Sequence, residues 1–154
     1  MMESFVNQTN VQTPVDLKRL FAYGSLMEGF FNYEKVLQGN VISHTPGRVR
    51  GLLYHQTKKG YPAMVSGDGW VRGEFIKLEK FDEIILLCDK IEAYFGYDHP
   101  NNEYERRVSK VELANRETSL AWIYWYARND LNSFENPVIP VSSGNWREFM
   151  QKNS

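Results

Sequence analysis

The sequence has little of what disulfide frameworks and metal sites require. Among 154 residues there is one cysteine, Cys88, which excludes an internal disulfide and a zinc site built from several cysteines. The three histidines are far apart in the chain and show none of the spacings typical of metal ligands. We therefore expect no metal site.

An excess of charge of one sign and long hydrophobic runs are also absent. Lysine and arginine total 18 against 19 acidic residues, so the formal net charge of −1 predicts no electrostatic attraction to nucleic acids or anionic membranes. The longest apolar run, residues 120–127, is far shorter than the ~18 residues that a membrane-spanning helix needs. The N-terminus has neither the basic nor the apolar region of a secretory signal. We expect a cytoplasmic protein without nucleic-acid or membrane partners, of undetermined oligomeric state.

The order of the segments indicates an α+β fold. Residues 1–17 are polar and aperiodic, which predicts a flexible N-terminal leader before one domain over 18–154. Two segments have helical character, one after the Gly24-Ser25 turn and one over 81–94. Without a βαβ rhythm, we expect a small, curved or closed mixed β-barrel flanked by helices. We expect strands near residue 20 and over 41–55, 71–78, 104–113 and 118–127 to form this sheet. Turn residues are predicted to interrupt the segment 41–55 at 46–47 and to precede the segment 71–78 at 67–69.

Glu92 is the one acidic residue of the 81–94 helix that falls inside its apolar arc. Desolvation and the negative end of the helix dipole both raise a carboxyl pKa, and a carboxyl titrating at about pH 6 to 7 suits general acid/base catalysis. Alternatively, Glu92 reaches solvent or pairs with Arg106 or Arg107. The helix is expected to pack on the sheet through its apolar face, which comprises Ile84, Leu87, Cys88 and Ile91. The central position of Cys88 favours a buried structural thiol over a nucleophile.

A turn containing Gly24 and Ser25 lies where a strand-like run gives way to a helical one. Ser25 and Glu28 fit a capping box, although a helix starting at Asn32 is an alternative. Such a turn exposes backbone N–H groups that can hold a carboxylate or a developing oxyanion, but ordinary turns show the same pattern. The segment around Ser25 lacks the second glycine placement of a G-x-S-x-G nucleophile elbow, so we do not expect Ser25 to be a nucleophile.

Several short motifs follow one another from about residue 20 to 149. Their order resembles that of the gamma-glutamylcyclotransferase-like family, also known as avirulence-induced-gene-like or BtrG-like. The resemblance implies a small β-barrel flanked by helices. The motifs are Tyr23-Gly24-Ser25-Leu26, Tyr61-Pro62-Ala63, Val71-x-Gly73-Glu74, Asp89-x-x-Glu92, Tyr104-x-Arg106-x-Val108 and Ser143-Gly144-Asn145-Trp146-Arg147.

The resemblance also implies an activity, that of a cofactor-free lyase or acyltransferase. Such an enzyme cyclises a small γ-glutamyl-amine or γ-glutamyl-peptide to 5-oxoproline and releases the free amine or amino acid. By resemblance, Glu92 is the catalytic acid/base. The residues implied in substrate binding are Tyr23, Gly24, Ser25 and Leu26, with Tyr104 as a candidate for orienting Glu92 or the substrate.

This sequence departs from the family pattern at three places. Ala93 stands where the family commonly has glycine, and Asn145 stands where aspartate is typical. The residues after the turn, Met27 to Gly29, do not match the glutathione-specific branch, so glutathione is not the first expected substrate. The departures at Ala93 and Asn145 leave open an alternative, a non-catalytic small-molecule binding module on the same fold.

Overall fold

The computed structural model describes residues 17–153, so residues 1–16 of the predicted leader lie outside the described part. The described chain contains six strands, two α-helices and one π-helical segment. The strands are β1 (Arg19–Ala22), β2 (Val41–Gln56), β3 (Tyr61–Leu78), β4 (Tyr104–Leu113), β5 (Thr118–Tyr126) and β6 (Val138–Pro140). The helices are α1 (Phe81–Ile91) and α2 (Trp146–Lys152), and the π-helical segment is Tyr33–Leu37.

Five of these strands close into a barrel. The order of neighbours is β3-β1-β5-β4-β2, and pairing between β2 and β3 completes the circle, while β6 adds to β2 outside it. The β1–β5 pair is parallel and the other pairs are antiparallel, so the sheet is mixed. The predicted closed mixed barrel is therefore confirmed.

The prediction that turn residues interrupt the strands is wrong at two places. Residues 46–47 lie inside β2 and residues 67–69 lie inside β3, and the two long strands pair along almost their whole length. Gly47 permits close approach between strands, because a Cβ there would lie 2.9 Å from Cγ1 of Val111 in β4. This glycine marks a close strand contact, which a local sequence pattern cannot distinguish from a turn.

Helix α1 packs on the barrel through a face slightly rotated from the predicted one. Its buried side chains are Phe81, Ile84, Ile85 and Cys88. Leu87 is 45% exposed, so its predicted burial is wrong. At about 100° per residue, Leu87 lies roughly 60° from Ile84 on the side away from Ile85, outside the buried arc. Glu92 lies on the Ile85 side, and the rotation keeps it directed toward the barrel.

The remaining helical segments are short. The π-helical segment after the Gly24-Ser25 turn has Asn32 as its N-terminal cap residue, which agrees with the alternative that a helix starts at Asn32. The segment ends before Gly39, whose φ is +92°. Ser25 does not cap a helix, and its hydroxyl accepts a hydrogen bond from the Asn32 side chain at 2.7 Å. Across residues 17–153, the structure contains no helix long and apolar enough to cross a membrane.

Candidate active site

A cavity of about 110 Å³ lies between the turn that follows β1, the start of β3, the start of β4 and the end of α1. The structure brings all the predicted site residues together around it. They are Tyr23, Gly24, Ser25, Leu26, Glu92 and Tyr104. The lining also includes Tyr61, Pro62, Glu103 and Tyr124, which the sequence analysis did not assign to a site.

Glu92 enters this cavity from the C-terminal end of α1. Its backbone N–H donates to the carbonyl of Cys88 at 2.9 Å, so the residue closes the last turn of the helix. Its side chain is partly buried, and no group within residues 17–153 forms a hydrogen bond or ion pair with its carboxyl. The alternative pairing with Arg106 does not occur, because that guanidinium binds Asp89.

The unpaired carboxyl titrates far from its ordinary range. Burial, together with the negative charges of Glu103 and Asp89, raises the pKa of Glu92 from 4.5 to about 8. This pKa is higher than the pH 6 to 7 expected from the sequence, which does not show that the negative charge of Glu103 lies nearby. A carboxyl with a pKa of about 8 can accept and return a proton near neutral pH.

Asp89, one helical turn before Glu92, is held by two partners. Arg106 donates from Nε and from a terminal nitrogen to the two Asp89 oxygens at 2.8 and 3.1 Å. The Tyr124 hydroxyl donates to Asp89 at 2.7 Å, and the Tyr124 carbonyl accepts a hydrogen bond from Tyr23 at 2.6 Å. These bonds connect α1 to β4, β5 and the turn, so they fix the position from which Glu92 extends.

The turn at residues 24–26 has backbone donors that no other group in the described part of the chain uses. The N–H of Met27 donates to the carbonyl of Gly24 at 3.0 Å, whereas the N–H groups of residues 24–26 have no acceptor in the described chain. A Cβ on Gly24 would lie 2.8 Å from Cγ of Pro62, so glycine lets the turn approach the cavity wall. Unpaired N–H groups on cavity-lining residues are available to an anionic group.

Tyr104 lines the cavity with its hydroxyl already bound. The hydroxyl donates to the carbonyl of Pro62 at 2.6 Å and accepts from the side chain of Gln56 at 3.1 Å. Burial also raises the pKa of Tyr104, which keeps the phenol protonated. Tyr104 therefore holds the cavity wall, and no hydrogen bond connects it to Glu92.

Glu103 is one of the cavity residues that sequence reasoning missed. One of its oxygens accepts hydrogen bonds from the Tyr61 hydroxyl at 2.7 Å and from Lys59 Nζ at 2.9 Å. Nothing in the sequence distinguishes Glu103 from the other acidic residues before β4, since its partners come from the start of β3 and the turn before it. The described residues contain no cluster of three or more His, Cys, Asp or Glu side chains that could hold a metal ion.

The profile of the family described as "Gamma-glutamyl cyclotransferase, AIG2-like" matches residues 20–148. Comparison with curated proteins gave no match.

Solved structures with the same fold include YkqA from Bacillus subtilis (TM-score 0.58, 23% identity, 90% of this chain). This chain spans 43% of the length of YkqA. The uncharacterized protein PH0828 from Pyrococcus horikoshii has a TM-score of 0.58 and 17% identity, over 88% of this chain and 94% of that one. An AIG2-like protein from Mus musculus has a TM-score of 0.58 and 19% identity, over 72% of this chain and 78% of that one. At these identities the likeness shows the fold.

Proposed function

We propose, since the chain belongs to the gamma-glutamyl cyclotransferase, AIG2-like family, that it cyclises a γ-glutamyl-amine or γ-glutamyl-peptide to 5-oxoproline and releases the free amine or amino acid. The observation that carries the proposal is the unpaired carboxyl of Glu92 in a cavity shared with the turn at residues 24–26. The cyclisation needs a proton carrier and hydrogen-bond donors for an anion. The Glu92 carboxyl can serve as the first, and the backbone N–H groups of residues 24–26 can serve as the second.

The substrate contributes both reacting groups. Its α-amine attacks its own γ-carbonyl carbon, forming the ring C–N bond, and the bond from that carbon to the leaving nitrogen then breaks. Because both groups belong to one molecule, the protein has only to hold the chain in a folded shape close to that of the transition state. No covalent nucleophile is needed.

Glu92 carries the proton between the two nitrogens. Its carboxylate accepts a proton from the attacking amine and the resulting acid donates it to the leaving nitrogen, so the residue ends as it began. A pKa of about 8 suits both halves of this transfer, since the residue is a stronger base than an ordinary glutamate and still a usable acid.

The free N–H groups of residues 24–26 bind negative charge, either the carboxylate of the substrate or the oxygen of the tetrahedral intermediate. Neither Ser25 nor Cys88 takes a covalent role. The Ser25 hydroxyl is bonded to Asn32, and burial raises the pKa of the Cys88 thiol, so its reactive thiolate is disfavoured.

A substrate panel tests the proposal. The folded protein is incubated with γ-glutamyl amines, γ-glutamyl dipeptides and glutathione, and 5-oxoproline and the released amine are quantified. We expect equimolar products from at least one class, with glutathione not the preferred substrate. A folded protein that binds a γ-glutamyl compound but forms no 5-oxoproline from any of them would be a binding module, and the proposal would be rejected.

A further inference from the structure

The substrate-binding turn separates the cavity from a second, larger depression. Leu26 lines the cavity, and the next residue, Met27, lines a groove of about 620 Å³. The groove contains two arginine–glutamate pairs, Arg147 with Glu74 and Arg48 with Glu112. Only the first pair contacts the segment that leads out of the turn.

That contact is made with the backbone of Glu28. The Glu28 N–H donates to one oxygen of Glu74 at 3.0 Å, and the Glu28 carbonyl accepts from a terminal nitrogen of Arg147 at 2.8 Å. The same Arg147 nitrogen donates to the other oxygen of Glu74 at 3.0 Å. We call these three groups, the Glu74 and Arg147 side chains and the Glu28 backbone, the Glu28 clamp.

Both side chains of the clamp come from well-fixed positions. Glu74 lies in β3 opposite Ala22, the last residue of β1 before the turn. Arg147 lies in the first turn of α2, where the side chain of Asn145 caps the helix by accepting from the Glu148 N–H at 3.1 Å. The adjacent Trp146 is buried and contacts the ring of Phe30, just beyond the clamp.

We propose, on the basis of the proposed function, that Glu74 and Arg147 are positioning residues that hold residues 23–26 in the geometry required opposite Glu92. Neither residue lines the cavity, so they act through the backbone of Glu28. Because the clamp forms hydrogen bonds with both the N–H and the carbonyl of Glu28, it restricts the path of the chain out of the turn. The resulting order keeps the free N–H groups aligned for an anion.

Glu74→Gln tests the clamp, with Glu112→Gln as the matched control in the same groove. Glu112 also binds an arginine, at 2.6 Å from Arg48 Nε, without touching the turn. We expect kcat/KM for the γ-glutamyl substrate to fall about tenfold or more in Glu74→Gln and to stay within about twofold in Glu112→Gln. The acidic limb of the pH–rate profile should not move, because the clamp does not contact Glu92.

Amide hydrogen exchange gives a readout that does not need turnover. The N–H groups of Met27 and Tyr33 donate to the carbonyls of Gly24 and Ser25, so they report on the turn without touching the Glu74 side chain. We expect both amides to exchange faster in Glu74→Gln and to be unchanged in Glu112→Gln. If Glu74→Gln does not fold, Arg147→Lys replaces it, since one ammonium keeps the charge without the planar fork of the guanidinium.

The outcomes separate the clamp from the proposed function. Unchanged exchange at Met27 and Tyr33 overturns the clamp, as does unchanged kcat/KM in an active enzyme. An equal loss of thermal stability in the two variants, with neither readout altered, would show an ordinary ion pair. Faster exchange in Glu74→Gln, together with a parent protein that turns over no γ-glutamyl substrate, supports the clamp and rejects the proposed function.

Discussion

The cavity and the groove lie on either side of one turn and differ in how their acidic groups are paired. The groove is larger, about 620 Å³ against about 110 Å³, yet both of its glutamates are bound by arginines. In the cavity, Glu92 has no partner in the described chain, and neighbouring backbone N–H groups are also free. Unpaired polar groups therefore indicate the candidate active site better than volume does.

Helix α1 shows the same contrast over a single turn. Asp89 receives two hydrogen bonds from Arg106 and one from Tyr124, whereas Glu92 receives none from residues 17–153 and has a pKa of about 8. Two carboxyls on one helix thus have different roles, one fixing the helix and one available for proton transfer. The predictions below change one side of this comparison at a time.

The largest effect is expected from Glu92→Gln. The amide keeps the size of the side chain but cannot carry the proton, so turnover should fall by about 10² to 10⁴, equivalent to roughly 3 to 5 kcal/mol of barrier. Glu112→Gln, in the groove, should change turnover by less than about twofold, since it removes only one partly exposed ion pair. Steady-state formation of 5-oxoproline measures both. Equal rates of 5-oxoproline formation in the two folded variants would contradict the assignment of proton transfer to Glu92.

Asp89→Asn should destabilise the fold, with a smaller effect on catalysis. It leaves the guanidinium of Arg106 without its anionic partner in a mostly buried position, at a cost of about 2 to 3 kcal/mol in the free energy of unfolding. Loss of one of the negative charges near Glu92 should also lower the pKa of Glu92 and move the acidic limb of the rate profile to lower pH. Denaturant unfolding and the pH profile measure these effects. An unchanged unfolding midpoint would contradict the assigned role of Asp89.

The raised pKa of Glu92 predicts how stability depends on pH. Glu92 ionises near its ordinary 4.5 in the unfolded chain and at about 8 in the folded one, so the fold loses stability relative to the unfolded chain as pH rises between these values. Glu92→Gln removes that loss. The variant should gain about 2 to 3 kcal/mol relative to the parent between pH 5 and pH 7. A stability difference that does not change with pH would contradict the raised pKa.

The smallest effect is expected directly after Glu92. Ala93 has a φ of +52°, in the left-handed region that favours glycine, which explains why the family commonly has glycine there. Ala93→Gly should raise the free energy of unfolding by about 0.5 to 1 kcal/mol. Ala127→Gly, at an exposed position without a positive φ, should give no gain. A loss of stability in Ala93→Gly would show that the strain at this position is compensated by its side chain.

The parts of the site that local patterns encode could be predicted from the sequence. The apolar periodicity of α1 directs Glu92 toward the barrel, and the turn at Gly24 follows from a strand-like run that ends in glycine and serine. The capping role of Asn145, which stands where aspartate is typical, could also be predicted, because asparagine and aspartate both cap helices through a side-chain oxygen. The family resemblance then placed these local features on a barrel that the structure confirms.

The parts that depend on contacts distant in the chain could not be predicted. Glu103 raises the pKa of Glu92 and is held by Lys59, 44 positions earlier. Gly47 looks like a turn residue until its contact with β4 is known. Leu87 was placed inside the buried arc because periodicity gives the width of an apolar face only within about one residue.

The most direct test of the account is the titration of the Glu92 carboxyl itself. The protein is labelled with ¹³C at the glutamate carboxyl carbons, and the Glu92 resonance is identified by its absence in Glu92→Gln. Its chemical shift is then followed as a function of pH. The account predicts a midpoint at about 8, separate from the other glutamates. A midpoint at the ordinary 4.5 would show that the carboxyl is solvated or paired, and would contradict its role as the proton carrier.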